Sequence, residues 1–533
     1  MDKLLLLGDE AFAQGALDAG LSGAFGYPGT PSTEIIEYIQ RESDAADRGV
    51  KRDWSANEKT AMEAALGMSY TGKRAIVTMK HVGLNVAADP FMNSAITGVH
   101  GGLLIAVADD PSMHSSQNEQ DSRFYGKFAM IPVLEPSNQQ EAYDMARTGF
   151  ELSERFRLPV MVRLTTRLAH SRSLIVRQKI LKENPLSLPG DPNQFMLLPA
   201  FARKKYRKLL EQQDRLVQAA EKSTYNHFAD GSDHSLGIVA CGLAYNYLME
   251  NFSENECPYP VVKIGQYPLP GKMLHELRSR CNTLLILEEG MPVVEEMIRG
   301  VFGADGLSVK GRLDGTLPRD GELNPGLVRK ALGLPLKESY KEPEFMVPRP
   351  PALCTGCPHQ ESFKALNKSL EPYGSGHVFS DIGCYTLGFL PPFNAINTCV
   401  DMGASFTMAV GAAEGGLFPS VGVIGDSTFG HSGLTGLADA TFRKSNVVLI
   451  ILDNDTTAMT GMQDSVIGGK IEAVCEALGV EKKHIRILTP LPRQHDENVQ
   501  VLKEEIEYSG VSVVIFRRPC IHVLNKRRKE GKS

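Results

Sequence analysis

The amino-acid sequence predicts an α/β protein made of three doubly wound parallel-sheet domains. Three observations predict it. Short apolar runs alternate with helical stretches through residues 1–170, 235–336 and 352–524, the pattern of strands covered by helices on both faces. Glycine, at 50 residues, suits many tight strand-to-helix turns. Between the blocks the composition shifts. Residues 171–234 gain charge, Gln and Pro, and residues 337–351 are rich in Pro, Lys and Glu, which marks a helical connector and a linker. Residues 525–533 form a short basic tail, expected to be solvated and frayed.

Length and charge bound what the chain can be. At roughly 100–200 residues per domain, 533 residues make about three cores. A net charge of −6 with 23% charged residues leaves no nucleic-acid footprint. No run of about 18 apolar residues predicts a membrane span. The start, Met1 to Glu10, is too short in its apolar part for a signal peptide and turns acidic at once; it reads as a strand running into a helix. Nine scattered cysteines argue for a reducing compartment rather than a disulfide framework. The expectation is a cytoplasmic protein.

The elements follow in order. In the first block Ala75 to Met79, Gly102 to Ala108 and Pro159 to Leu164 read as strands, and Ser55 to Lys59 opens a helix that continues through Ala61 to Ser69. In the connector, Phe201 to Lys222 reads as one exposed helix. Leu236 to Cys241, Val261 to Ile264 and Thr283 to Leu287 are the strands of the middle block, where Cys241, Cys257 and Cys281 look structural. In the third block Val421 to Ile424 and Val447 to Leu452 are strands around a helix from Leu434 to Arg443, and Cys475 sits on an apolar helical face.

The third block carries the most informative pattern. Gly425-Asp426-Ser427 ends one strand, and Asn454 follows Asp426 by 28 positions at the end of the next. Both loops therefore lie at the carboxyl ends of neighbouring parallel strands. Asp426 offers a carboxylate, Asn454 an amide oxygen and Thr456 a backbone carbonyl, the oxygen ligands a hard cation takes. The turn of Gly425, Ser427 and Thr428, with the helix N-terminus after it, can hold a diphosphate. An ordinary nucleotide-type crossover with a chance Asp and Asn is the plain alternative.

Other segments offer chemistry beside equally plain readings. Gly26-Tyr27-Pro28-Gly29-Thr30-Pro31-Ser32-Thr33-Glu34 follows a strand and precedes a helix. It is a rigid loop with exposed hydroxyls suited to a carboxylate, or a structural turn in which Ser32 or Thr33 caps the helix. Lys80, His81 and Asn85 follow a strand at the same sheet edge, although a buried histidine with no function is an even alternative for His81. Glu58 is a candidate proton-transfer acid, or a helix-start acid answering the helix dipole. Cys354 and Cys357 form a CxxC pair with Cys384 27 residues on. That spacing suits a [4Fe–4S] cluster with Cys520 as fourth ligand, a zinc site completed by His359 or Cys520, a dithiol, or simply buried cysteines.

The Asp426–Asn454 pattern looks like the magnesium–diphosphate motif of thiamine diphosphate (TPP) enzymes. Together with Tyr27 to Ser32, Asn57-Glu58-Lys59, Thr78 to Asn85, Cys354 to His359, Gly383 to Gly388 and Thr456 to Gly461, the chain resembles the 2-oxoacid:ferredoxin oxidoreductases, and within them the alpha subunits of the indolepyruvate branch. The resemblance runs in order through nearly the whole chain. It implies a pyrimidine-binding TPP domain first, a transketolase C-terminal-like domain in the middle and a diphosphate- and magnesium-binding TPP domain last. It implies Glu58 as the acid that activates the pyrimidine ring, Asp426, Asn454 and Thr456 as Mg2+ ligands, and Thr30, Ser32, Lys80 and His81 facing a 2-oxoacid. The expected reaction is oxidative decarboxylation of an aryl pyruvate, with coenzyme A as co-substrate and ferredoxin or a ferredoxin-like protein as acceptor. A small gamma-type partner subunit (the complex's beta chain) is expected, in a homodimer or heterotetramer. One departure stands out: the family's alpha subunit usually ends in a ferredoxin-like segment, and no CxxCxxCxxxCP run occurs here. A separate subunit or the Cys354 site would then carry the electrons, or the same cofactor would run non-oxidative decarboxylation or carboligation.

Overall fold

The computed structural model describes residues 3–253, 256–302, 306–336, 345–346 and 351–529. The chain divides into two compact units, residues 1–340 and 341–533. The expected linker, 337–351, lies outside the described residues except for Phe345, Met346 and Pro351.

The N-terminal unit contains two large sheets. The first has six strands in the order Gln266–Tyr267, Val133–Leu134, Val160–Thr165, Leu103–Asp109, Ala75–Lys80, Gly23–Gly26. All its pairings are parallel except that of Gln266–Tyr267 with Val133–Leu134. Its central strands Ala75–Lys80, Leu103–Asp109 and Val160–Thr165 are buried along their whole length, as strands covered on both faces must be. The second sheet runs Ser308–Lys310, Thr283–Leu287, Gly237–Cys241, Val261–Ile264, His227–Ala229, with only the last strand antiparallel. The first strand, Lys3–Leu7, pairs antiparallel with Arg172–Val176 in a small sheet of its own and runs directly into the helix Gly8–Asp18.

The C-terminal unit has one sheet of five parallel strands in the order Val378–Ser380, Val421–Gly425, Val447–Asp453, Val511–Arg517, Ile485–Leu488. One apolar cluster lines each face of it. Phe363, Leu366, Val423 and Ile450 pack on one side, and Phe406, Phe429, Ile424 and Ile451 on the other. The α/β class read from the sequence is the class found. Cys475 is buried on the helix Ile471–Ala477.

Three local expectations change. The connector helix is two helices, Pro199–Glu211 and Gln213–Glu221. They part at Gln212, whose N–H bonds Leu209 O three residues back rather than four, a tightened terminal turn. Asn525 to Lys529 are not frayed but complete the helix Ile521–Lys529; residues 530–533 lie outside the described residues. Neither Ser32 nor Thr33 caps the helix Thr33–Arg41. The Ser32 hydroxyl donates to Gly29 O at 2.8 Å and Thr33 Oγ1 accepts from Gly29 N–H at 3.0 Å, so both hydroxyls fasten the loop to itself.

Candidate active site

In the C-terminal unit the strand Val421–Gly425 ends where its neighbour Val447–Asp453 ends, Gly425 standing opposite Leu452. Parallel pairing therefore delivers Asp426 and Asn454 to one edge of the sheet. Glycine is required at 425, because a Cβ there would lie 2.7 Å from the Tyr385 ring. Asp426 is buried, and its Oδ2 has no hydrogen-bond partner among the described residues. Burial, then the charges of Asp453 and Asp455, push its carboxyl up to about 8. A buried carboxyl oxygen with no donor, crowded by two more carboxylates, fits a cation.

The other predicted ligands stand around it. Asn454 is buried; its Oδ1 accepts from Thr456 N–H at 3.2 Å, and its Nδ2 lies 3.4 Å from His359 Nε2. Burial pulls His359 down to about 4, so the imidazole is neutral. Thr456 is buried, its Oγ1 donating to Gln463 O at 3.0 Å. Ser427 Oγ meets Thr457 Oγ1, and Thr428 Oγ1 donates to Ile382 O at 3.1 Å. Asp381 organises the floor of the site. Its Oδ2 accepts from Gly403 N–H at 3.0 Å and from Ser405 Oγ at 2.7 Å, Oδ1 accepts from Tyr385 OH, and burial pushes the carboxyl up to about 6.

The four candidate cysteines come from three distant segments and gather in one place. Burial, then Cys354 and Cys520, push the Cys357 thiol up to about 11; burial, then Cys357, Cys520 and Cys354, push Cys384 up to about 12. Cys384 thus feels the other three, and Cys357 feels Cys354 and Cys520. The group joins the metal loop directly, since Cys520 N–H bonds Asn454 O at 2.9 Å and His359 belongs to the CxxC segment. Among the described residues no three His, Cys, Asp or Glu side chains close on a single metal ion.

In the N-terminal unit Glu58 begins the helix Glu58–Tyr70, whose N-cap Asn57 accepts from Thr60 N–H at 2.9 Å. Glu58 is buried, and its side chain lies on Gly83; a Cβ on Gly83 would stand 2.5 Å from Glu58 Oε1. The segment after the strand Ala75–Lys80 is thus shaped to this carboxyl. Lys80 Nζ donates to Ser115 O at 2.7 Å and Ser115 Oγ at 3.2 Å, and Ser115 Oγ lies 3.2 Å from Thr30 O. Burial pulls the Lys80 ammonium down to about 8, with Asp110 opposing. His81 Nε2 lies 3.2 Å from Asn118 O, while its Nδ1 is buried without a hydrogen-bond partner among the described residues. Thr30 and Lys80 share one network through Ser115, whereas the buried Ser32 spends its hydroxyl on Gly29.

The sequence reading missed the segment from Asp110 to Asn118. Asp110 Oδ2 accepts from Ser115 N–H at 2.8 Å and from Ser116 Oγ at 2.5 Å, which holds Ser115 against Lys80. The signal was present: Asp110-Pro111 follows the strand Leu103–Asp109, at the edge that offers Lys80.

Comparison with known proteins agrees with this geometry. The family model "Pyruvate flavodoxin/ferredoxin oxidoreductase, thiamine diP-bdg" matches residues 14–185, and "Thiamine pyrophosphate enzyme, C-terminal TPP binding domain" matches residues 381–516. The indolepyruvate oxidoreductase subunit IorA of Archaeoglobus fulgidus is 40% identical over 100% of this chain and 89% of the relative. That of Methanothermobacter thermautotrophicus is 39% identical over 98% of this chain and 87% of the relative. Among solved structures, a 2-oxoglutarate:ferredoxin oxidoreductase from Magnetococcus marinus with 2-oxoglutarate, coenzyme A and succinyl-CoA bound matches with a TM-score of 0.52. It is 16% identical, over 62% of this chain and 65% of that chain, and the likeness is one of fold. No helix among the described residues is long and apolar enough to cross a membrane.

Proposed function

The chain belongs to the indolepyruvate oxidoreductase subunit IorA family of TPP-dependent enzymes that oxidatively decarboxylate 2-oxoacids, and we propose that its own substrate is an aryl pyruvate such as indolepyruvate. The balanced reaction is R–CO–COO⁻ + CoA–SH → R–CO–S–CoA + CO2 + H⁺ + 2 e⁻. The relatives do not favour the non-oxidative alternative.

The observation that carries this reading is the partnerless Asp426 Oδ2 beside Asn454 at the edge of the sheet. Asp426, the Asn454 side-chain oxygen and the Thr456 carbonyl would hold Mg2+, and the turn of Gly425, Ser427 and Thr428 would hold the diphosphate. The chemistry TPP supplies when bound is that of an electron sink at the reacting carbon. Glu58 would hold a proton at the pyrimidine ring nitrogen and so set its tautomer. The Lys80 ammonium would neutralise the substrate carboxylate, with Thr30 and His81 beside it.

Cys354, Cys357, Cys384 and Cys520 would hold a [4Fe–4S] cluster, whose positive charge would favour the thiolates that burial disfavours. Coenzyme A would take the acyl group, and ferredoxin or a ferredoxin-like protein the electrons. The relatives are named as subunits of oxidoreductases; a small gamma-type (beta) subunit would complete the enzyme, in a homodimer or heterotetramer.

The test is an anaerobic assay of aryl and alkyl 2-oxoacids with TPP, magnesium, coenzyme A and methyl viologen, run beside iron and acid-labile sulfide analysis. Viologen reduction fastest with aryl pyruvates, on protein holding about four irons per chain, supports the proposal. Iron-free protein that releases only aldehyde and carbon dioxide refutes it.

A further inference from the structure

We propose that the basic helix Ile521–Lys529 is the docking surface for an acidic one-electron carrier protein of the ferredoxin type, set at the mouth of the cysteine site. The inference rests on the cluster reading of the four cysteines given above. The helix begins at the residue after Cys520. Ile521 packs on the CxxC turn, where a Cβ on Gly356 would lie 4.0 Å from its Cγ2. His522 Nε2 lies 3.4 Å from Cys354 Sγ, and Cys354 is the exposed member of the four. The surface that reaches the sulfurs is therefore the base of this helix.

Its far end carries the charge. Lys526, Arg527, Arg528 and Lys529 occupy the last turn, all exposed. At 1.5 Å per residue they stand roughly 9–14 Å along the axis from Cys520. The chain as a whole has a net charge of −6, and this helix gathers four cations, one of them paired with Asp455, on the element whose base meets the exposed Cys354. Arg527 is pinned by Asp455 at 2.7 Å, which ties the helix to the metal loop and keeps the patch in place. Redox partners meet through small, transient interfaces, in which complementary charge sets encounter rate and orientation. A small acidic carrier suits such a patch. A lipid surface does not, because Ile521, Val523 and Leu524 are half-buried against the chain and leave no apolar face to insert. Cys354, Cys357, Cys384 and Cys520 would hold the cluster that supplies the electrons, and two one-electron encounters with an oxidised carrier would discharge the pair released per turnover.

The test compares the full-length protein with a Lys526→Glu, Arg528→Glu, Lys529→Glu variant, Arg527 being left to its Asp455 contact. Binding of an acidic two-cluster bacterial ferredoxin is read by biolayer interferometry at low and high salt. Turnover is read with ferredoxin and, separately, with methyl viologen. The expected result is ferredoxin binding that weakens with salt and falls about tenfold or more in the variant. The KM for ferredoxin should rise by a similar factor, with iron, sulfide and viologen turnover unchanged. Equal ferredoxin affinity in the two proteins overturns the proposal, as does binding of duplex DNA or anionic vesicles, and not of ferredoxin, through these residues. Iron-free protein that still binds ferredoxin through the helix would remove the cluster reading and leave the docking surface standing.

Discussion

Arg163 and Asp426 are both buried ionisable groups, one in each unit, and they are treated in opposite ways. The Arg163 guanidinium bonds Asp109 at 2.6 Å and Glu135 at 2.5 Å, and neighbouring Arg123 bonds Asp121 at 2.6 Å and Glu288 at 2.9 Å. Burial would raise the Asp121 carboxyl, yet Arg123 and Arg163 hold it down to about 2. This network joins strands of the six-stranded sheet to the loop after Thr283–Leu287 in the five-stranded one, so its partnered charges fix architecture. Asp426 feels the charges of Asp453 and Asp455, which are paired with Arg517 and Arg527, and its Oδ2 bonds nothing among the described residues. Burial alone therefore does not mark a functional group; Asp426 is marked by an unbonded oxygen that stands at the strand ends together with Asn454.

The largest effect expected from this contrast is at Arg163. Arg163→Met leaves Asp109 buried without its guanidinium, and Asp121 and Glu135 with Arg123 alone, and should destabilise the N-terminal unit by about 3–5 kcal/mol. Denaturant unfolding checks it; a loss below about 1 kcal/mol would break the comparison. Asp426→Asn should move the other way. Removing a crowded, unbonded carboxylate should leave the cofactor-free protein as stable or about 1 kcal/mol more stable, while thermal stabilisation by TPP with magnesium disappears.

Gly83→Ala sharpens the comparison on the Glu58 side. The added methyl occupies the place of Glu58 Oε1, so turnover should fall about 10–100-fold, within the range for losing a placed acid–base group. Unfolding should be little changed, and an unaltered kcat would detach Glu58 from the chemistry. The smallest effect concerns Lys80, whose ammonium titrates at about 8. It is charged below that pH and neutral above it. KM for the 2-oxoacid should therefore rise with pH above about 8, about fivefold between pH 8 and 9 and about tenfold for each unit beyond. Lys80→Met should show a high KM at every pH, and a flat wild-type profile would exclude Lys80 from carboxylate binding.

Much of the C-terminal site could be read from the sequence because parallel pairing converts spacing into place. A strand ending in Gly425, a helix and a second strand ending at Asp453 leave little freedom for Asp426 and Asn454. The helix Leu434–Arg443 was expected at the bounds it has. What could not be read depends on contacts between segments distant in the chain. Nothing in the spacing says that Cys520 N–H bonds Asn454 O, or that His359 Nε2 sits 3.4 Å from Asn454 Nδ2. Ser115 reaches Lys80 through a loop whose path has no periodicity to follow. The last helix escaped because its residues are charged and local pattern argued for a solvated tail; contact with the CxxC turn supplies the missing apolar support.

The most direct measurement titrates TPP into the full-length protein and its Asp426→Asn variant by isothermal calorimetry, with and without magnesium, in the absence of substrate. The account predicts magnesium-dependent binding to the wild-type protein, weakened at least about 100-fold, or about 2.7 kcal/mol, in the variant. Equal binding by both proteins, or wild-type binding indifferent to magnesium, would contradict it.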